Sequence, residues 1–240
     1  MRIAVISDIH ANLTALKAVA EDIRITGADE VICLGDITTL GPRPRACLKI
    51  VKELNCRCIK GNHDDFMPDA GLIHTYTDVP IIVDMVTWAR QRLSPEDIEF
   101  IRSFENQIRV EPDPETRWLF FHGCPGSHMT DILSSTPPED LDTLLGDETC
   151  ELMCCGHTHI QMLRQHKGTL VVNPGSVGMP FKEFVGGKRP EPMHHAEYAV
   201  LEKNRGNISV NLKRISYSMA DFKESIARSD EKIRAFFARF

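Results

Sequence analysis

Asp8 and His10 stand directly after a short unbroken apolar run, Ile3-Ala4-Val5-Ile6. Side chains two apart on an extended strand project to the same side, so a carboxylate and an imidazole leave the strand end together, which is half of a metal site. Gly35-Asp36, Gly61-Asn62-His63-Asp64, His122-Gly123 and Gly156-His157-Thr158-His159 repeat that grammar, each following a β-type run. A single acid in such a place is ordinarily a turn or cap residue. Repeated arrival of Asp, Asn or His, often beside glycines that let the backbone turn tightly, reads better as ligands converging beyond one sheet edge.

Those side chains need a sheet to carry them. The 240 residues can bury one sizeable core, and no Pro/Gly/Ser-rich linker, repeat or low-complexity stretch divides them, so a single domain over 1–240 is expected. The run at residues 3–6, uniformly apolar, suits a strand covered on both faces. Strand, helix and strand then alternate: a helix over 13–25 capped by Asn12 and stopped by Gly27, a strand over 31–34, a helix to about residue 54 and a strand over 56–60. This is a parallel α/β beginning. Helices follow over 81–93 and 95–104, the second announced by Ser94 as cap, Pro95 and an acid at the third position. Residues 107–110 and 117–121 read as a hairpin, and runs at 152–155, 160–165, 169–173, 198–202 and 208–215 continue the strand series, favouring a second, largely antiparallel sheet. Two helices at 218–228 and 231–240 close the chain, and this Phe-rich tail is expected to pack on the outside of a sheet, with a homo-oligomer contact as the alternative.

Composition narrows the partners. A formal net charge of −6 argues against bulk binding to nucleic acid or an anionic membrane. There is no basic leader with an apolar core and no apolar run of about 18 residues, so a cytoplasmic protein is expected. The eight cysteines include no Cys-x-x-Cys pair and fall mostly in strands, where they serve as small buried hydrophobes; Cys124, two residues from His122, is the one expected near the site.

Taken in order, Asp-x-His, Gly-Asp, Gly-Asn-His-Asp, a lone His and Gly-His-x-His resemble the signature of the calcineurin-like metallophosphoesterase superfamily. Asn173-Pro174-Gly175-Ser176-Val177-Gly178 resembles a motif of its small prokaryotic phosphodiesterase branch. The resemblance spans residues 1 to about 202; the C-terminal strand and helices, 207–240, add nothing to it. It implies an α/β, four-layer αββα sandwich of two mixed β-sheets flanked by helices, with two divalent metals at the strand ends. Carried over by motif, Asp8, His10 and His159 would hold the first metal, Asn62, His122 and His157 the second, and Asp36 would bridge them. Carboxylate, carboxamide and imidazole without thiolate suit Mn, Fe, Co, Ni or Zn, with Mn or Fe favoured here. Paired metals lower the pKa of a shared water from roughly 15.7 toward 7, leaving a bridging hydroxide to attack phosphorus. The nucleophile is then solvent, and Ser176 is a turn residue rather than a phosphoenzyme nucleophile.

His63 matches the family's histidine that stabilises phosphate charge or protonates the leaving group. In related protein phosphatases, Gly-Asp is followed by Asp-Arg-Gly, which orients that histidine and clamps phosphate; here Thr39-Leu40-Gly41 stand there. Substrate contacts are expected from Arg43, from His128 in the loop after His122, and from the insertion-like segment 179–193 with Lys182, Lys188, Arg189 and the adjoining His194 and His195. The expected function is dimetal-dependent hydrolysis of a small phosphodiester. The alternatives are a phosphomonoesterase or protein phosphatase and, from another class, a non-catalytic scaffold on the same fold.

Overall fold

The computed structural model describes residues 1–186 and 189–239. Strand β1 (Arg2–Ile6) buries Ile3, Ala4, Val5 and Ile6, as a strand covered on both faces must. Asn12 caps α1 (Leu13–Thr26), its Oδ1 accepting the Ala15 backbone N–H at 3.1 Å, and the helix stops at Gly27. Strand β2 (Glu30–Cys33) pairs parallel with β1; α2 (Pro44–Glu53) starts on a proline; and the two-residue β3 (Arg57–Cys58) pairs parallel with β2. The single-turn α3 (Asn62–Asp65) carries the Asn-His-Asp run, and a 3-10 helix (Ala70–Thr75) follows it. Next come α4 (Pro80–Arg90) and α5 (Pro95–Arg102), the latter opened by a reciprocal Ser94/Asp97 capping box.

The hairpin β4 (Gln107–Asp113) and β5 (Thr116–Phe121), helix α6 (Pro138–Leu145), and strands β6 (Leu152–Cys154), β7 (Met162–His166) and β8 (Thr169–Asn173) form the second sheet, in the order β4-β5-β6-β8-β7. Strands β9 (Ala196–Asn204) and β10 (Asn207–Ile215) do not join it. They return to the first sheet, which runs β10-β9-β1-β2-β3 with β9 antiparallel to β1. Moreover β5, β6 and β8 pair in parallel, so the second sheet is mixed rather than largely antiparallel. The burial of Ala196 through Leu201 explains where β9 goes: six consecutive covered residues need a central position, and β9 has it between β1 and β10.

Between the sheets Ile3, Val5, Ile32 and Leu34 meet Trp118, Phe120, Leu152 and Val172. The alternate residues Ala4 and Ile6 face the layer of α1, α2 and α4, and Leu119, Phe121 and Met153 face Leu141 and Leu145 of α6. The result is the four-layer αββα sandwich. The tail, α7 (Met219–Ala227) and α8 (Glu231–Phe237), departs from expectation by docking on helices rather than directly on strands, α7 on α1 and α8 on α4. Trp88 Nε1 donates to Asp230, Arg92 pairs with Asp230 at 2.6 Å, and Lys232 with Asp84 at 2.8 Å, while Ile233 and Phe236 are buried in the cluster that holds Met85 and Trp88. Residues of α1 and α2 already fill that face of the sheet. All eight cysteines are free, and all but the half-buried Cys56 are buried. Cys124 is buried in the cluster of Leu141, Leu145 and Cys150 and is not among the residues that line the cavity beside the expected ligands.

Candidate metal centre

The ends of β1, β2, β5 and β6 and the turn after β3 meet at one edge of the sandwich, and the backbone there is held in an unusual form. Asp8, His10, Ala11, Asp36, His157 and His159 have φ between 43° and 66°, six of the ten non-glycine residues in the left-handed region among the described residues. Such conformations cost energy and persist only where surrounding structure imposes them. Here the imposing contacts are visible. His10 N–H donates to the Asp36 carbonyl at 2.9 Å and Ala11 N–H to that of Ile37 at 2.8 Å, tying the first loop to the second. Asp64 accepts the N–H groups of Asp36 at 2.7 Å, Gly61 at 3.0 Å and Ile37 at 3.2 Å. A Cβ on Gly61 would fall 2.1 Å from Asp36 Oδ1, so only glycine lets the third loop approach this closely.

His122 Nδ1 lies 2.7 Å from the Leu34 carbonyl and His159 Nδ1 2.7 Å from that of Met179. A carbonyl can only accept, so both Nδ1 atoms carry the proton and both Nε2 atoms present lone pairs. His10 Nδ1 lies 3.4 Å from Thr39 Oγ1, a hydroxyl that can donate or accept. The Nε2 atoms of His10 and His159 are 3.0 Å apart, and Asp8 Oδ1 is 3.3 Å from the latter. Asp36 Oδ2 lies 3.8 Å from His10 Nε2 and 3.6 Å from His122 Nε2, and Asn62 Oδ1 3.2 Å from His122 Nε2. Asp8 Oδ1 has no hydrogen-bond partner among the described residues. Electron-pair donors facing one another without hydrogens between them repel, and a cation turns that repulsion into binding. Asp8, His10 and His159 could hold one ion and Asp8, Asp36 and His122 another, so the donor set fits a pair of divalent metals.

Burial keeps the imidazoles neutral, as ligands must be: it pushes His122 down to about 3 and His10 well below its ordinary value. Burial, then the charges of Asp8 and Asp64, pushes the Asp36 carboxyl well above its usual range. His63 is buried, its ring 5.3 Å from that of His10 and 5.8 Å from that of Tyr76. Its Nδ1 has no partner among the described residues, and burial, followed by the neighbouring histidines, lowers its pKa to about 3.

Six of the seven expected ligands therefore face one another. His157 is less converged: its backbone N–H donates to Asp8 Oδ2 at 3.1 Å, while its Nε2 lies 3.7 Å from Asp131 Oδ1. Asp8 moreover belongs to both candidate groups, and both it and Asp36 lie within 4.0 Å of His10 and His122.

The expected substrate contacts scatter. Arg43 donates to Ser225 Oγ on α7 at 3.0 Å, His128 pairs with Asp65 at 2.9 Å, Lys182 with Glu191 at 2.6 Å and His195 with Glu197 at 3.0 Å. Lys182, His194 and His195 line a separate groove between residues 178–182 and 189–195 and the tail; Lys188 lies outside the described residues. Of the six, Arg189 alone lines the cavity of about 820 Å³ that opens from His10, Asp36, Asn62, His63, His157 and His159. Sequence reasoning missed Asp64 as a clamp, Asp131, and most of the cavity wall. Ser176 is a loop residue as expected, and its Oγ, bonded to the Asp8 carbonyl at 2.7 Å and the Met179 N–H at 2.8 Å, fastens the first loop to the 173–178 segment.

The calcineurin-like phosphoesterase superfamily domain matches residues 1–202. An uncharacterized protein of Methanocaldococcus jannaschii is 27% identical over 244 residues, 95% of this chain and 92% of that protein. The symmetrical bis(5'-nucleosyl)-tetraphosphatase of Thioalkalivibrio sulfidiphilus is 24% identical over 80% of this chain and 77% of its own length. The crystal structure of a metallophosphoesterase from Sphaerobacter thermophilus superposes with a TM-score of 0.75 at 26% identity, covering 99% of each chain. With the αββα sandwich and the ligand-bearing strand ends, these matches show that the chain belongs to the calcineurin-like phosphoesterase superfamily and is a metal-dependent phosphoric ester hydrolase.

Proposed function

We propose that the chain is a dimetal phosphodiesterase acting on a small phosphodiester. Asp8, His10 and His159 would hold one ion, Asn62, His122 and His157 the other, and Asp36 would span them. When bound, two divalent cations acidify a water and neutralise charge on the phosphoryl oxygens. His157 would have to turn from Asp131 to complete its set, and Asp8, common to both groups of donors, supports one shared centre rather than two separate sites. His63, on the cavity wall beside His10, offers an N–H to the phosphoryl group or the leaving oxygen. Burial keeps its ring neutral in the free site, while the negative charge of a bound phosphodiester works in the opposite direction.

The observation that carries the preference for diesters is Leu40. It is buried on the cavity wall, in the loop where a phosphatase of this family would present its clamp arginine. Arg43, the nearest guanidinium along the chain, is engaged by Ser225, and the two arginines that line the cavity, Arg189 and Arg239, are exposed. A monoester near neutral pH carries close to two negative charges and gains more than a diester from fixed guanidinium groups on its oxygens. Comparing kcat/KM for an aryl diester and an aryl monoester with the same leaving group tests the proposal. A diester advantage is expected; a monoester advantage of tenfold or more, about 1.4 kcal/mol of transition-state binding, overturns it.

A further inference from the structure

The catalytic cavity is far larger than a phosphoryl group. From the ligand cluster it extends between residues 76–82, residues 179–186 and 189–190, and the C-terminal helix, and that extension is mainly apolar, with Arg189 and Arg239 as its cationic residues. Phe181 stacks on His159 with centroids 4.4 Å apart and planes at 19°, and Tyr76 meets the His63 ring edge to face, with centroids 5.8 Å apart and planes at 69°. Flat apolar faces thus begin where the reacting phosphorus must lie. Further out, Val79, Met129 and Phe184 continue the wall, and α8 contributes Phe236 from beyond the family-matched residues.

The same wall is also unusual in its exposure. Eight large apolar side chains are exposed among the described residues, and four of them, Tyr76, Val79, Met129 and Phe184, line this one cavity. Apolar groups scattered singly over a surface need no explanation, but their concentration at the mouth of an active site marks something that covers them. The occupant is connected to the phosphorus, because the wall is continuous with the ligand cluster.

Resting on the phosphodiesterase reading, we propose that one ester group of the substrate is a planar ring system, aryl or nucleosidyl, held between Tyr76 and Phe181 with Phe184 closing over it. Rings rather than alkyl chains fit because aromatic faces gain from offset stacking beyond the area they bury. A pocket of this volume also accommodates a ligand the size of a nucleoside. The tail then has a function: by anchoring α8 on α4, the Asp230 contacts to Trp88 and Arg92 set one wall of the subsite.

The test uses 4-nitrophenyl diesters whose second ester group is ethyl, hexyl, phenyl or thymidin-5'-yl, so the leaving group is constant. Both ring esters should exceed the ethyl ester in kcat/KM by tenfold or more, chiefly through KM, and should exceed the hexyl ester as well. Phe184→Ala should reduce the ring-to-ethyl ratio at least threefold, and Leu163→Ala, an exposed apolar side chain on β7, should leave that ratio unchanged. The order of the phenyl and thymidinyl esters names the source of the ring. Calorimetry on the manganese-loaded protein gives a readout without turnover: phenylphosphonate should bind at least fivefold tighter than ethylphosphonate. A hexyl ester equal to the phenyl ester would assign the wall to alkyl groups and overturn the proposal, as would a ring-to-ethyl ratio below two. Absent diester turnover with a ring preference retained in the phosphonates would overturn the phosphodiesterase reading alone.

Discussion

Asp64 Oδ2 accepts the backbone N–H of Asp36 at 2.7 Å, joining the acid that ends the Gly-Asn-His-Asp run to the loop bearing the central carboxylate. The same oxygen takes the Gly61 N–H and Oδ1 takes that of Ile37, so one buried side chain fixes three donors in two loops. Asp64→Asn puts an amide N–H where a backbone N–H must be accepted. The expected loss is on the order of 2 kcal/mol, because a buried donor left without a partner costs its full desolvation. For a chain of this size that is a fall in Tm of about 4–8 °C, to be read by calorimetry on metal-free protein. An unchanged Tm would show that the clamp contributes nothing.

Asp36 should matter to both metals. Its Oδ2 lies within 3.8 Å of His10 Nε2 and His122 Nε2, while Asn62 Oδ1 approaches only His122. Asp36→Asn is therefore expected to lower the metal content of the protein by more than one equivalent, and Asn62→Ala by about one. Elemental analysis after dialysis against a weak chelator distinguishes them. Two equivalents retained in Asp36→Asn would remove it from the bridging position.

His63 should serve turnover and not metal retention. Its ring lines the cavity beside His10, and its Nδ1 is buried without a partner among the described residues. His63→Ala should keep its metals and lose activity by about 10²- to 10⁴-fold on a poor leaving group. The loss should shrink for 4-nitrophenolate, which leaves without a proton. Wild-type rates on an alkyl leaving group would contradict the assignment.

Much of this candidate centre was legible in the sequence because each candidate ligand follows an apolar run within four residues, and the strand end does the positioning. The strand order was less legible. Alternation reveals which faces are covered but not which neighbour covers them, so β9 and β10 were placed in the wrong sheet. The surroundings of the expected substrate contacts were less legible for a related reason. Lys182 and His195 lie close in the chain to a ligand-bearing segment, yet nearby carboxylates, Glu191 and Glu197, hold them. The wall residues Tyr76, Val79 and Phe236 carry no motif, since an apolar side chain beside a site is indistinguishable in sequence from one in a core.

Away from the centre, Asp22 of α1 should give the fold a definable acid dependence. Its carboxylate accepts hydrogen bonds from Tyr198 of β9 at 2.5 Å and from Lys213 of β10, joining the helix to two strands. Burial alone would raise its pKa, but those bonds and the Lys213 charge outweigh it, and the folded value lies below the ordinary 3.8. A depressed carboxylate binds its proton less readily in the folded state. Its contribution is therefore fully present above the unfolded pKa and is lost as pH falls through the folded one. Asp22→Asn should lower stability by on the order of 1 kcal/mol at pH 6, since it removes the charge from the bonded pair. The gap between wild type and variant should narrow below about pH 4, where the Asp22 carboxyl of the unfolded wild-type chain begins to take up its proton while that of the folded chain still resists it. Urea unfolding of both proteins at intervals from pH 6 to pH 3 measures that gap directly. A difference that stays constant across the interval, or widens toward acid, would show that the Asp22 contacts act through packing and not through charge.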